Sequence, residues 1–460
     1  MSILATFIVP HPPLIVPAVG KGQEKKIQTT IGSYRAIARK ITDCKPDTVI
    51  VLSPHATAYA DYFHISPGAS ARGNLRQFGA NTQIHIAYDS ELVDALSRHC
   101  GERDFPVGTS GEKETSLDHG FMIPVHFIQE ACPAARYVRI GISGLSLQEH
   151  YAFGMHLQET IDHVGRNAVI VASGDLSHKL KEDGPYGYSP DGPKLDDALI
   201  SIMKSGNFGE FFELDPALCE SAAECGLRCF VIMAGALDQR AVTPTFYSYE
   251  GPFGVGYAVA SFDVTGEDHT RNFLAIAKMK YAAGIKAIRD REDPFARLAR
   301  EALEFYIKSG KQIEPAQNLP EEMNNQQAGV FVSIKKHGNL RGCIGTTAPS
   351  RKNIAMEIIH NAISSGTEDP RFSPVMESEL ADLVYSVDVL AKAEPVSDRS
   401  LLDVKRYGVI VSKGMRRGLL LPNLEGVDSV TKQLEIACKK AGIHPAQSYT
   451  IERFEVVWHT

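Results

Sequence analysis

No stretch of this 460-residue chain is apolar for long enough to cross a bilayer. The longest apolar runs, such as Phe230–Leu237, fall far short of the ~20 residues a spanning helix needs. A secretory leader is not expected either. The apolar start MSILATFIVPHPPLIVP has no basic residue ahead of it and is interrupted by Pro10, Pro12 and Pro13. Cysteine is sparse: eight are spread along the chain and none forms a CxxC pair. Even the closest set, Cys219, Cys225 and Cys229, lacks zinc-ribbon spacing. A disulfide framework is thereby excluded, and a reducing cytoplasm is the simplest location. Positive charge is not in excess. With 48 Lys and Arg against 55 Asp and Glu, the net charge is −7, so no chain-wide basic surface invites nucleic acid or an anionic membrane. Repeats of fixed period and low-complexity tracts are absent as well.

What is there is ordinary globular material, 43% apolar and 22% charged. At roughly 100–200 residues per domain, the length implies two or three domains. Residues 1–264 read as α/β, a central sheet flanked by helices. Short β-branched runs (Thr48–Leu52, Tyr137–Ile142, Ala168–Ala172) are apolar on both faces and are followed by helical patterns. Gly256–Val264 reads as the last strand. Residues 265–292 read as a helical linker, Phe273–Arg289. A new helix then opens at Pro294 with Asp293 as its N-cap. From 293 to 460, strands (Gly329–Lys335, Asp382–Leu390, Tyr407–Ser412) mix with helices (Arg351–Ser365, Ser429–Ala441), the pattern of a compact α+β domain.

Three histidine-bearing turns stand out: VPHPPLIVP with His11, VLSPHA with His55, and VASGDLSH with His178. Each follows an apolar strand-like run. One such histidine is most simply a hydrogen-bonding loop residue. Three are a different matter, because ligand sites in open α/β sheets form beyond the carboxyl ends of the strands. Imidazole binds iron, zinc and copper, and it is the base whose pKa lies nearest neutrality. Two histidines and a carboxylate on one face of an iron ion leave positions open for substrate and oxygen. The third histidine is then free to act as a base. Glu224, ahead of an apolar helical stretch in CESAAECGLRCFVIMAGALD, is the carboxylate candidate, and Cys225 beside it is a softer alternative. The commoner open iron site favours Glu224.

His11 in PHPP, His55 in SPHA and His178 in SGDLSH resemble the class III extradiol dioxygenases and the related Memo proteins over residues 1–263. The resemblance implies that His11 and His55 bind iron and that His178 acts as acid and base. Asp175, in the same SGDLSH, is carried along as a catalytic candidate. LDHG at Asp118–His119 resembles a family segment whose histidine lies beside the metal, or binds it in the Memo branch. Dioxygenases have a glutamate as last ligand and Memo proteins a cysteine in a CG pair, which Cys225–Gly226 matches. The third ligand therefore stays open between Glu224 and Cys225.

In the second half, LRGCIGT places Cys343 between glycines, with Arg341 near enough to lower a thiol pKa or bind an anion. A buried structural cysteine is the plainer interpretation. TEDPRFSPV, containing Asp369 and Arg371, and GMRRGLLLPNLEG are the other unusual segments. Together, LRGCIGT, DPRFSP and RRGLLLP resemble the AMMECR-type domain over residues 293–460. Arg341, Cys343, Asp369 and Arg371 are expected to line one polar cleft. The fusion resembles the AmmeMemoRadiSam system proteins, which implies association with a radical SAM enzyme.

The leading expectation is an Fe(II) enzyme, with Zn or Cu as other divalent choices, acting on a phenolic or catecholic small molecule. A Memo-like metal protein that does not oxygenate, working with a radical SAM partner, is the second. A metal-free scaffold is the third. Homo-oligomerisation is left open.

Overall fold

The computed structural model describes residues 3–460 other than 112, 114, 115, 425, 445 and 446. The chain divides into two compact units between Lys278 and Met279, inside helix α6 (Phe273–Arg289).

Six strands form the main sheet of the first unit: β1 (Ile3–Val9), β2 (Thr48–Ser53), β3 (Arg136–Gly141), β4 (Ala168–Ser173), β5 (Arg240–Glu250) and β6 (Tyr257–Glu267). Their order is β3-β2-β4-β1-β6-β5. The first four are parallel; β6 and β5 add antiparallel to the edge. Alternate residues explain the layering. Ile8, Ile50, Leu52, Ile170 and Ala172 face one core, shared with helices α4 (Leu147–Val164) and α5 (Leu227–Gly235). Phe7, Val9, Val49, Val51, Val169 and Val171 face the other, under α1 (Gln28–Cys44) and α3 (His119–Ala131). Both faces are covered, so the strands carry no polar stripe. Helix α2 (Ser90–Gly101) also packs in the first core. Its N-cap, Asp89, accepts from Leu92 N. Helix α4 starts from a capping box between Ser146 and Glu149, worth roughly 1 kcal/mol.

The connection into α5 runs very close to the sheet. A Cβ on Gly174 would lie 2.2 Å from Gly226 Cα. Only glycine at both positions permits that approach, and it seats residues 224–226 against the end of β4.

In the second unit, helix α7 (Pro294–Ser309) starts as its sequence implies, with Asp293 accepting from Phe295 N and Ala296 N. It packs with α8 (Ile354–Thr367) over an antiparallel sheet of Asn339–Gly345, Gly329–Lys336, Leu383–Leu390 and Val456–His459. A second antiparallel sheet, formed by Glu394–Pro395, Thr450–Phe454, Gly408–Lys413 and Arg416–Leu420, is covered by α9 (Val430–Ala441). Among the described residues, no helix is long and apolar enough to cross a membrane.

Candidate metal centre

His11 lies two residues beyond β1, His55 two beyond β2, and Asp175 two beyond β4. These three strands are neighbours in the sheet. Side chains separated by more than 160 positions therefore meet over one sheet edge. His11 Nε2 stands 3.0 Å from His55 Nε2 and 3.7 Å from Cys225 Sγ. His11, His55 and Cys225 are brought together with one donor atom each, all within 4.8 Å of one another. Two imidazole nitrogens sharing one ion at ~2.1 Å stand about 3.0–3.4 Å apart, so the spacing fits a shared metal. His11 is buried, Cys225 half-buried and His55 exposed, so the group is open to solvent on the His55 side.

The second layer sets the tautomer of His11. Ser173 Oγ donates to Gly120 O at 2.6 Å. With its only proton committed, it accepts at 2.9 Å from His11 Nδ1. The Nδ1–H tautomer leaves the Nε2 lone pair free for a cation. The His11 backbone N–H is held by Asp175 Oδ1 at 2.8 Å. On the other side, Asp118 caps α3 through Phe121 N and accepts from Ser53 Oγ at 2.5 Å. Arg139 Nε lies 3.1 Å from its other oxygen. The cap puts His119 at the first position of α3, where its ring stacks on His55 with centroids 4.1 Å apart. His119 meets His11 edge-on at 5.3 Å. Ser173→Ala is expected to lower metal affinity ~10–100-fold while the fold survives. Equilibrium dialysis against a chelator would read this, and unchanged affinity would remove Ser173 from the centre.

Glu224 is placed elsewhere. A turn at Ala223, in the left-handed region with φ 53°, redirects the chain. Glu224 Oε2 then accepts from Leu227 N at 2.6 Å and so serves the start of α5. An orphan helix amide is a strong claim on a half-buried carboxylate. The preference for Glu224 over Cys225 as third ligand is thus not carried into the structure. Cys225 turns the opposite way, its Sγ accepting from Asp175 N at 3.3 Å.

His178 supplies no donor to the group. Its backbone N–H bonds Ala222 O at 3.1 Å, and its ring stacks on the exposed Tyr186 at 5.0 Å. Its charge would act on both His11 and His55. It borders the centre without entering it.

Burial, reinforced by neighbouring imidazoles, keeps the histidines neutral. His11 is held well below its usual range by burial and then by His55, His119 and His178. His119 falls to about 4, through burial and His55 against the opposing pull of Asp118. His178 falls to about 4, through burial and His55. Burial raises Asp175 to about 7, opposed by the His11 N–H. The Cys225 thiol is pushed well up, by burial and then by Asp175. This collection of neutral donors suits one cation, whose charge would release the thiol proton.

The family described as the catalytic LigB subunit of aromatic ring-opening dioxygenase matches residues 5–260. The chain belongs to that family. A second family, AMMECR1, matches residues 296–459. A Clostridium acetobutylicum protein is 42% identical over 470 aligned residues, covering 100% of this chain and 99% of its own length. A Thermotoga maritima protein is 50% identical over 171 residues, covering 36% of this chain and 98% of its own. Of solved structures, an Escherichia coli K12 protein aligns with a TM-score of 0.38 at 13% identity, over 56% of this chain and 99% of that one.

In the AMMECR1 unit, three of the four expected cleft residues meet. Asp369 Oδ2 accepts from Cys343 N at 2.8 Å, and Arg371 Nη2 donates to Cys343 O at 3.1 Å. Arg371 also pairs with Asp369 at 2.7 Å, and its guanidinium is foremost in holding that carboxyl well below the usual range. Arg341 goes into a separate network. Its guanidinium meets Glu379 at 2.9 Å and the carbonyls of Ser373 and Pro374, and it draws Glu379 down to about 2. Sequence reasoning missed Glu379 and, in the LigB unit, Ser173 and Tyr186. The one available signal was Ser173 itself, immediately before the Gly-Asp of VASGDLSH.

Proposed function

We propose that the LigB unit is a metal-dependent enzyme acting on a small phenolic or related aromatic molecule, with its metal held by His11, His55 and Cys225. The convergence of those three donors is the observation that carries the reading. Once bound, the metal supplies Lewis acidity toward a phenolic oxygen and, if iron or copper, a redox couple. The remaining work falls to the protein. Ser173 and Asp175 orient His11, and His119 backs His55. His178, neutral and at the rim, takes the phenolic proton and returns it to the product. Exposed His55 marks the side from which substrate enters.

Cys225 favours a second feature of the reading, chemistry of the Memo kind without ring-opening by oxygen. A soft thiolate in place of a hard carboxylate shifts the donor set toward copper, zinc or redox use. The test is metal analysis after anaerobic purification, followed by catechol under air. Iron or copper present in wild type and lost in His11→Ala/His55→Ala supports the metal enzyme, and equal content in both overturns it. Rapid catechol-dependent oxygen uptake would replace the Memo-like chemistry with ring-opening dioxygenation.

A further inference from the structure

A second convergence of metal-ligating residue types, distinct from His11, His55 and Cys225, lies between α2 and α4 of the LigB unit. His99 occupies the last turn of α2, while His156 and Glu159 lie one turn apart on α4. Residues at i and i+3 share a helix face, and packing of α2 against α4 brings that face to His99. His99 Nε2 is 3.3 Å from His156 Nδ1 and 3.1 Å from Glu159 Oε2. The remaining edge, His156 Nδ1 to Glu159 Oε2, is 3.8 Å. Three donors at these separations outline one face of a tetrahedral or octahedral ion at ~2.1 Å.

We propose that His99, His156 and Glu159 form a second divalent transition-metal site, best suited to zinc, that staples α2 to α4. The donor set argues for the class of ion. Two imidazoles and a carboxylate suit zinc, nickel and copper far better than magnesium or calcium, which take oxygen ligands. The site is also preorganised. The Phe105 ring packs at 4.7 Å against His156 and itself stacks on Phe63, so little side-chain freedom is left to lose on binding. Both histidines are mostly covered, with side chains 16% and 20% exposed, while Glu159 at 51% faces water. An ion can therefore enter from solvent and keep water in its open positions. Arg103 is a neighbouring cation whose charge acts on His156. Its guanidinium is engaged with His99 O at 3.1 Å and lies 4.0 Å from Glu102, so it is held by groups other than the three donors. The role is structural, since α2 and α4 both contribute to the core beneath the sheet.

Chelator-treated full-length protein titrated with zinc tests the site. His99→Ala/His156→Ala is expected to bind one equivalent less than wild type, whatever the His11 site holds. Both histidines lie at the half-covered boundary of their helices, and alanine is a strong helix former, so α2 and α4 should persist, which far-UV circular dichroism checks. Saturating zinc should raise Tm by roughly 5 °C through the surface site. This rise should persist in His11→Ala/His55→Ala and vanish in His99→Ala/His156→Ala. Glu159→Gln, which keeps the shape and removes the charge, should weaken zinc binding at least ~10-fold. Equal zinc stoichiometry in wild type and His99→Ala/His156→Ala would overturn the site. Loss of the Tm rise in His11→Ala/His55→Ala alone would assign the effect to the other centre.

Discussion

Cys225→Ala should empty the centre of metal, and Glu224→Ala should not. The two residues are adjacent, yet they face opposite tasks. Cys225 Sγ lies 3.7 Å from His11 Nε2, while Glu224 Oε2 accepts from Leu227 N at 2.6 Å. Removing one of three protein donors costs more than the ~10–100-fold typical of losing a supporting hydrogen bond. Cys225→Ala should therefore fall below detection after chelator dialysis. Glu224→Ala leaves a helix-start amide unpaired, a loss of roughly 1 kcal/mol, seen as a small drop in Tm with full metal content. Parallel anaerobic loading with Fe(II) and with copper reads both variants. Loss of metal from Glu224→Ala with Cys225→Ala unaffected would reinstate the carboxylate centre.

His178→Ala should retain metal and lose turnover by ~10²–10⁴, the range for a positioned acid–base group. The ring stands outside the donor group but is electrostatically coupled to His55. Its lowered pKa adds a second readout. A base must be neutral to act, so activity present at neutral pH should be lost as pH falls through about 4 rather than near 6.5. Folding stability follows the same sign. The unfolded chain titrates this histidine near 6.5 and the folded one near 4. Between those values the unfolded state binds more protons, and acidification weakens the fold. His119, also near 4, contributes in the same window. Collapse of metal content in His178→Ala, or an acid limb near 6.5, would place His178 in a different role.

Much of the molecule is written in local pattern. Doubly apolar runs mark β2, β3 and β4 within a residue or two, because strands covered on both faces need no polar stripe. Asp293–Pro294 marks the start of α7 through N-cap chemistry that acts over three residues. Edge strand β5 and strand Thr450–Phe454 of the second sheet carry weaker signals. Both are half-exposed along much of their length, and Thr450–Phe454 pairs with Gly408–Lys413, far away in the chain.

His11, His55 and His178 were legible as candidates because each follows a strand, and parallel strands deliver their carboxyl ends to one edge; Asp175 came in with the SGDLSH segment. The meeting of His11, His55 and Asp175 also required the strand order β2-β4-β1, which no local pattern encodes. The choice between Glu224 and Cys225 lay wholly in the tertiary structure. Local chemistry made the carboxylate the better iron ligand, but the same carboxylate is the better partner for an unpaired helix amide. The left-handed turn at Ala223 and the approach of Gly174 to Gly226 gave it to the helix and turned the thiol toward His11. Likewise, Arg341 lies two residues from Cys343, yet folding delivers Glu379 to its guanidinium and leaves Asp369 to the Cys343 backbone. By itself, the sequence determined the elements, their two-unit order and the donor types, because those depend on neighbours along the chain. Only the tertiary structure decided which donors share a site, because that depends on strand order and on which buried polar group each carboxylate must satisfy.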